Sequence, residues 1–199
     1  MFAALLLGVI LLMQGGHQPP APDIVARGEW GAQAPVIDLV PHHVKYITVH
    51  HGGVDRQADR DFFDKLRGLQ SWSQREDELA GGTPKPKWSD IPYHYYIDWD
   101  GRIAECREII YPGDTNTTYD PWGHALIVLE GNLNKDEFTK EQRDSLYALV
   151  TWLSWRHRVP SDLIKGHRDY AQGETDCPGE AAYAELPNLR SHVARTLGR

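Results

Sequence analysis

The sequence predicts an α/β fold in a single domain, a central mixed β-sheet with helices on both faces. Three observations carry that prediction. Segments dense in β-branched residues alternate with segments of helical apolar spacing, as in a sheet covered by helices. Ala125-Leu126-Ile127-Val128-Leu129 is an unbroken apolar run, the pattern of a central strand buried on both faces. The chain has 199 residues, 41% of them hydrophobic, enough for one sizeable core without help from disulfides.

The elements follow in order. Phe2 to Met13 is apolar residues and glycine without a charge, too short for the ~20 residues that span a bilayer. Small residues and Pro19-Pro20-Ala21-Pro22 follow it. This pattern predicts a signal peptide and linker over residues 1–23, although no Lys or Arg precedes the apolar run. The folded domain is then 24–199, extracytoplasmic, monomeric and without a stable membrane span. Arg27 to Ala32 reads as an irregular entry segment whose Trp30 covers one edge of the core. Tyr46-Ile47-Thr48-Val49-His50 has the β-branched density of a strand, which puts His50 at a strand end. From Asp59 to Glu78 the pattern is helical, with Phe62, Leu66 and Leu69 on one face. Gly81 to Pro86 reads as loop. Tyr93–Trp99 and Arg102–Cys106 read as strands joined at Asp100-Gly101, a tight-turn dipeptide expected to take positive φ at both positions. Tyr111 to Gly123, rich in Pro, Gly, Asn and Thr, is loop before the central strand. Thr139 with Gln142 forms a capping box for a helix with a buried stripe of Leu146, Leu149, Val150 and Leu153, ended by Pro160. Leu163 to Gly166 reads as a short strand that delivers His167. Leu186 to Leu197 reads as a C-terminal helix.

The net charge of -7 argues against a nucleic-acid binder, which would carry a basic face. Two cysteines allow two readings: one disulfide, or Cys177 as a metal ligand with Cys106 as a small buried residue. Their neighbours favour the second, because Cys106 ends a strand pattern and Cys177 sits in a polar loop.

That loop, Gly166-His167-Arg168-Asp169…Thr175-Asp176-Cys177-Pro178-Gly179, holds a histidine and a cysteine ten residues apart. Val49-His50-His51 lies far upstream. Zinc prefers nitrogen and sulfur ligands, and catalytic sites use three of them and leave the fourth position for water. His50, His167 and Cys177 form such a set. Alone it is a moderate signal, since the chain has ten histidines and no His-Glu-x-x-His.

A third motif, Trp88-Ser89-Asp90-Ile91-Pro92-Tyr93-His94-Tyr95, sharpens it. Together the three motifs resemble the type-2 N-acetylmuramoyl-L-alanine amidases, which include phage T7-type lysozyme and the peptidoglycan recognition proteins. The resemblance runs from about Trp30 to His192. It implies one zinc ion on His50, His167 and Cys177, and hydrolysis of the amide between N-acetylmuramic acid and L-alanine in peptidoglycan or muropeptides. It places the family's catalytic tyrosine at Tyr93, where a phenol stabilises charge developing on oxygen. Two residues before the cysteine ligand stands Thr175, where some members have lysine; its hydroxyl can donate but brings no charge. Trp88, Asn116 and His124 are expected in the substrate groove. His51 and His94, each beside a key position, are expected to face away from the metal, since strand neighbours alternate sides.

The chain departs from the pattern in two places. The spacing from His167 to Cys177 is longer than in the recognition proteins and resembles that of bacterial cytosolic anhydro-amidases, whose last ligand is Asp. Pro112-Gly113-Asp114 stands where members often carry a histidine. No Asp or Glu general base emerges from the motifs. Two alternatives remain: a peptidoglycan-binding module without catalysis, and a zinc amidase acting on soluble anhydromuropeptides.

Overall fold

The computed structural model describes residues 18–79 and 82–199. Most of the expected leader, residues 1–17, lies outside the described residues. Among the described residues six strands form one sheet in the order β1-β6-β5-β7-β2-β8. They are β1 Ile24–Val25, β2 Tyr46–His51, β5 Tyr95–Ile97, β6 Ile103–Glu105, β7 His124–Leu129 and β8 Ile164–Gly166. A separate pair, β3 Asp77–Glu78 and β4 Pro84–Lys85, is antiparallel. In the main sheet only β5 and β6 pair antiparallel, so the sheet is mixed. Helices α1 Phe62–Ser73, α2 Lys140–His157, α3 His167–Tyr170 and α4 Glu180–Leu197 complete the domain.

The two faces of the sheet carry different cores. Ile47, Val49, Ala125, Ile127 and Leu129 point to one side. There they pack against Leu146, Leu149, Val150 and Leu153 of α2 and Leu186, Leu189 and Val193 of α4. On the other side Val128, Tyr96 and Ala104 pack with Phe62 and Leu66 of α1, and with Trp30. Trp30 is fully buried and donates its indole N–H to the Glu105 carbonyl at 2.8 Å. The register His50↔Val128 sets His50 on the α1 side, because laterally paired residues share a face. The continuous apolar run in β7 therefore serves two cores.

The expected boundaries move for identifiable reasons. Helix α1 ends at Ser73 instead of continuing to Glu78. Buried Lys85 accounts for that stop: its ammonium donates to the carbonyls of Ser73, Arg75 and Pro86 at 3.1, 2.7 and 2.8 Å. The same ammonium lies over the rings of Trp72 and Trp88 at 4.8 and 4.4 Å. At the hairpin only Gly101 takes positive φ, at 88°. Its N–H donates to the Asp98 carbonyl and Asp98 N–H to the Arg102 carbonyl, so the turn has three loop residues, not two. Helix α4 begins at Glu180, before the expected Leu186, and carries Pro187 inside. Its buried stripe of Ala182, Leu186, Leu189, Val193 and Leu197 outweighs the missing proline N–H. The capping box of α2 forms as expected, with Thr139 Oγ1 accepting from Gln142 N at 3.0 Å and Gln142 Oε1 from Thr139 N at 3.4 Å.

Candidate metal centre and groove

Three elements bring His50, His167 and Cys177 together. His50 is near the end of β2 on the α1 side. His167 opens α3 directly after β8, whose Gly166 pairs with Val49. Cys177 is held from both sides of its peptide: its carbonyl accepts from Arg168 N–H at 2.9 Å, and its own N–H donates to Thr175 Oγ1 at 3.1 Å. One ligand atom from each of the three lies within 4.8 Å of the others. Cys177 Sγ sits 3.6 Å from His50 Nδ1 and accepts from the His51 N–H at 3.4 Å. The loop between His167 and Cys177 bulges at exposed Gln172 and Gly173, where Gly173 has φ 79°.

The donor set suits a metal ion. His50 Nε2 is buried with no hydrogen-bond partner among the described residues. Burial, and then the nearby His167, hold the His50 pKa well below the ordinary histidine value. Burial takes His167 down to about 4. Both imidazoles are thus neutral near pH 7, the form that ligates. Burial pushes the Cys177 thiol up to about 12, so only a cation beside it would make it a thiolate. His167 Nε2 is bonded to Thr117 Oγ1 at 2.8 Å, which leaves Nδ1 for a metal. Cys106 and Cys177 are both free thiols, so the disulfide reading fails.

Tyr93 precedes β5 and its ring centroid lies 5.1 Å from that of His50. Burial raises its pKa well above the ordinary tyrosine value, with Cys177 adding to the rise. It also lines a groove of about 440 Å³ together with Trp88, Trp72, Asn116, Lys65 and Glu130. Two of the expected groove residues, Trp88 and Asn116, are therefore on its wall. His124 is not among the lining residues. It stacks on Tyr46 at 4.6 Å, and its Nδ1 bonds Thr48 Oγ1 at 2.8 Å. Thr175 turns its hydroxyl oxygen toward the backbone of its own loop, as the acceptor for Cys177 N–H. His51 faces the α4 side, where its Nδ1 accepts from Leu133 N–H at 3.2 Å. Both nitrogens of His94 are engaged by backbone, Nδ1 with Leu126 N and Nε2 with Tyr111 O, each at 2.8 Å.

Sequence reasoning missed two features. Thr117 belongs to a run that reads only as loop, and nothing local marks it as the partner of His167. Lys65, buried in the groove between Asp98 at 2.8 Å and Glu130 at 3.5 Å, reads in sequence as one more charge on the exposed side of α1.

Residues 40–180 match the Amidase_2 family, described as N-acetylmuramoyl-L-alanine amidase. The chain belongs to this family. Peptidoglycan-recognition protein SD of Drosophila simulans is 28% identical to this Amidase_2 member over 188 residues, 90% of each chain. Peptidoglycan recognition protein 1 of Mus musculus is 24% identical and covers 80% of this chain and 84% of its own. The crystal structure of the Drosophila protein SD superposes with a TM-score of 0.67 at 26% identity, over 82% of this chain and 92% of that one. The endolysin amidase LysCS from Clostridium intestinale superposes with a TM-score of 0.62 at 26% identity, over 87% and 97%. The relatives of this Amidase_2 chain thus include proteins named for recognition and proteins named for amide hydrolysis, on one mixed sheet with flanking helices.

Proposed function

We propose that the chain is a zinc-dependent N-acetylmuramoyl-L-alanine amidase that cleaves the bond between N-acetylmuramic acid and L-alanine in peptidoglycan. The observation that carries this reading is the complete His50, His167 and Cys177 set, converged within 4.8 Å beside Tyr93. Family membership and the likeness to the Clostridium amidase support it. A zinc ion held by these three residues supplies Lewis acidity, which activates water and polarises the lactyl carbonyl. The chain's own residues do the rest. Tyr93, kept protonated by burial, donates a hydrogen bond to the oxygen on which charge develops. Thr175 keeps Cys177 in place through its backbone N–H and retains a hydroxyl hydrogen for the same oxygen. Trp88 and Asn116 wall the groove that receives the stem peptide and glycan. The apolar N-terminal pattern supports a place outside the cytoplasm. Among the described residues no helix is long and apolar enough to cross a membrane.

The test is zinc content and muropeptide release measured together on the purified protein and on Cys177→Ser. We expect stoichiometric zinc, free glycan and new L-alanine amino ends from the wild type. Cys177→Ser should lose more than the roughly 10–100-fold that removing an outer partner of a metal ligand costs. Bound zinc with no release from polymeric peptidoglycan or soluble anhydromuropeptides would point to a binding module instead.

A further inference from the structure

Tyr119 lies in the loop between β6 and β7, and that loop is tied down over the metal centre. Thr117 Oγ1 bonds His167 Nε2 at 2.8 Å, and Thr118 N–H donates to Glu174 Oε2 at 2.9 Å. The Tyr119 ring is thereby fixed 5.1 Å from the His167 ring and stacked 5.7 Å from Tyr170. Its hydroxyl oxygen is buried and has no hydrogen-bond partner among the described residues. Buried hydroxyls almost always find one. Burial above all, with the charges of Tyr93 and Cys177 next, raises its pKa well above the ordinary tyrosine value and keeps it protonated. The hydroxyl is thus a buried donor without an acceptor among the described residues, on a ring packed against the candidate ligand His167. His50 Nε2, whose ring centroid lies 4.5 Å from that of His167, is likewise without a partner among the described residues.

We infer that Tyr119 is a second catalytic phenol, donating to the ligand or substrate oxygen that occupies the space bounded by His50, His167, Cys177 and Tyr93. This rests on the amidase reading and extends it. Two neutral donors then share the oxygen that becomes negative in the tetrahedral transition state, and no proton transfer is needed from either phenol.

Tyr119→Phe removes the hydroxyl and keeps the ring that packs on His167 and Tyr170. Tyr170→Phe is the control, because the Tyr170 hydroxyl is also buried and without a partner among the described residues while its ring packs on Tyr46. Two readouts are taken: muropeptide hydrolysis by the zinc protein, and azide titrated into the cobalt-loaded protein and followed by visible absorption. Tyr119→Phe should lower kcat about 100-fold with KM within about twofold, and weaken azide about tenfold, at unchanged metal content and melting temperature. Tyr170→Phe should change neither. Unchanged kcat and azide affinity in Tyr119→Phe would overturn the inference, as would equal losses in both variants. A wild type that binds azide but hydrolyses nothing sinks the amidase reading alone, and the azide result then decides Tyr119. A wild type that holds no cobalt overturns the inference together with the metal centre.

Discussion

His94 shows how backbone groups can engage both nitrogens of a buried imidazole next to Tyr93. Its Nδ1 accepts from Leu126 N–H and its Nε2–H donates to the Tyr111 carbonyl, so one neutral tautomer ties the start of β5 to β7 and to the following loop. Burial takes its pKa down from 6.5 to about 3. The unfolded chain keeps the ordinary value, so between the two values only the unfolded state binds the proton. The stabilisation is full above about pH 6.5 and is lost as pH falls toward 3, at about 1.4 kcal/mol per pH unit. His124, lowered to about 4 by burial, adds in the same direction. Urea unfolding at neutral pH and at about pH 4.5 should show a clear drop for the wild type. His94→Gln, which can still donate and accept, should be less stable at neutral pH and show a shallower drop. A slope as steep as the wild type's would remove His94 from the account. Chain alternation sets His94 and His51 apart from the cluster of His50, His167 and Cys177, and the packed structure reveals that both are held by backbone groups.

Among the elements, the junction of β8 with α3 decides the site. Gly166 pairs with Val49 on one side and faces the Cys177 loop on the other. A Cβ at Gly166 would sit 2.8 Å from Pro178 Cδ and 3.1 Å from Tyr183 Cδ2. With φ at -86° the backbone itself tolerates a side chain, so the close approach is the whole constraint. Gly166→Ala must push the turn that carries Cys177 away from His50. We expect at least a tenfold loss of zinc affinity, about 1.4 kcal/mol, with helical content unchanged. Competition against a chromogenic chelator, read beside circular dichroism, checks it; wild-type affinity would mean that the loop yields without moving the sulfur. Sequence pattern places this junction well, because a β-branched run and a Gly-His step are local signals. It misplaces the end of α1, because the ammonium of Lys85 that takes the last carbonyls arrives from the far side of a loop.

On the amidase reading, the domain as a whole is expected to fold without its zinc. Two apolar clusters lie on opposite faces of the sheet, and their buried members include none of His50, His167 and Cys177. Stripping zinc with a chelator should therefore abolish muropeptide cleavage and leave the helical signal intact, with a melting temperature lower only by the lost binding energy. An apo chain that unfolds at room temperature would contradict this and make the zinc structural.

What the sequence determined by itself is what depends on neighbours along the chain. The apolar period of α2 and its capping box, the β-branched density of β2 and the unbroken run of β7 each encode an element locally. The three motifs that carry the family resemblance are likewise short and contiguous. Tertiary structure decided what depends on segments far apart in sequence. It turned Trp88 and Asn116 to the groove and put His124 outside it, beneath aromatic rings. It gave His167 a threonine partner and packed the Tyr119 ring against it, beside a cluster assembled from β2, α3 and a later loop. A side chain's direction in a loop is set by the hydrogen bonds and packing that pin that loop from elsewhere, and no local period records them.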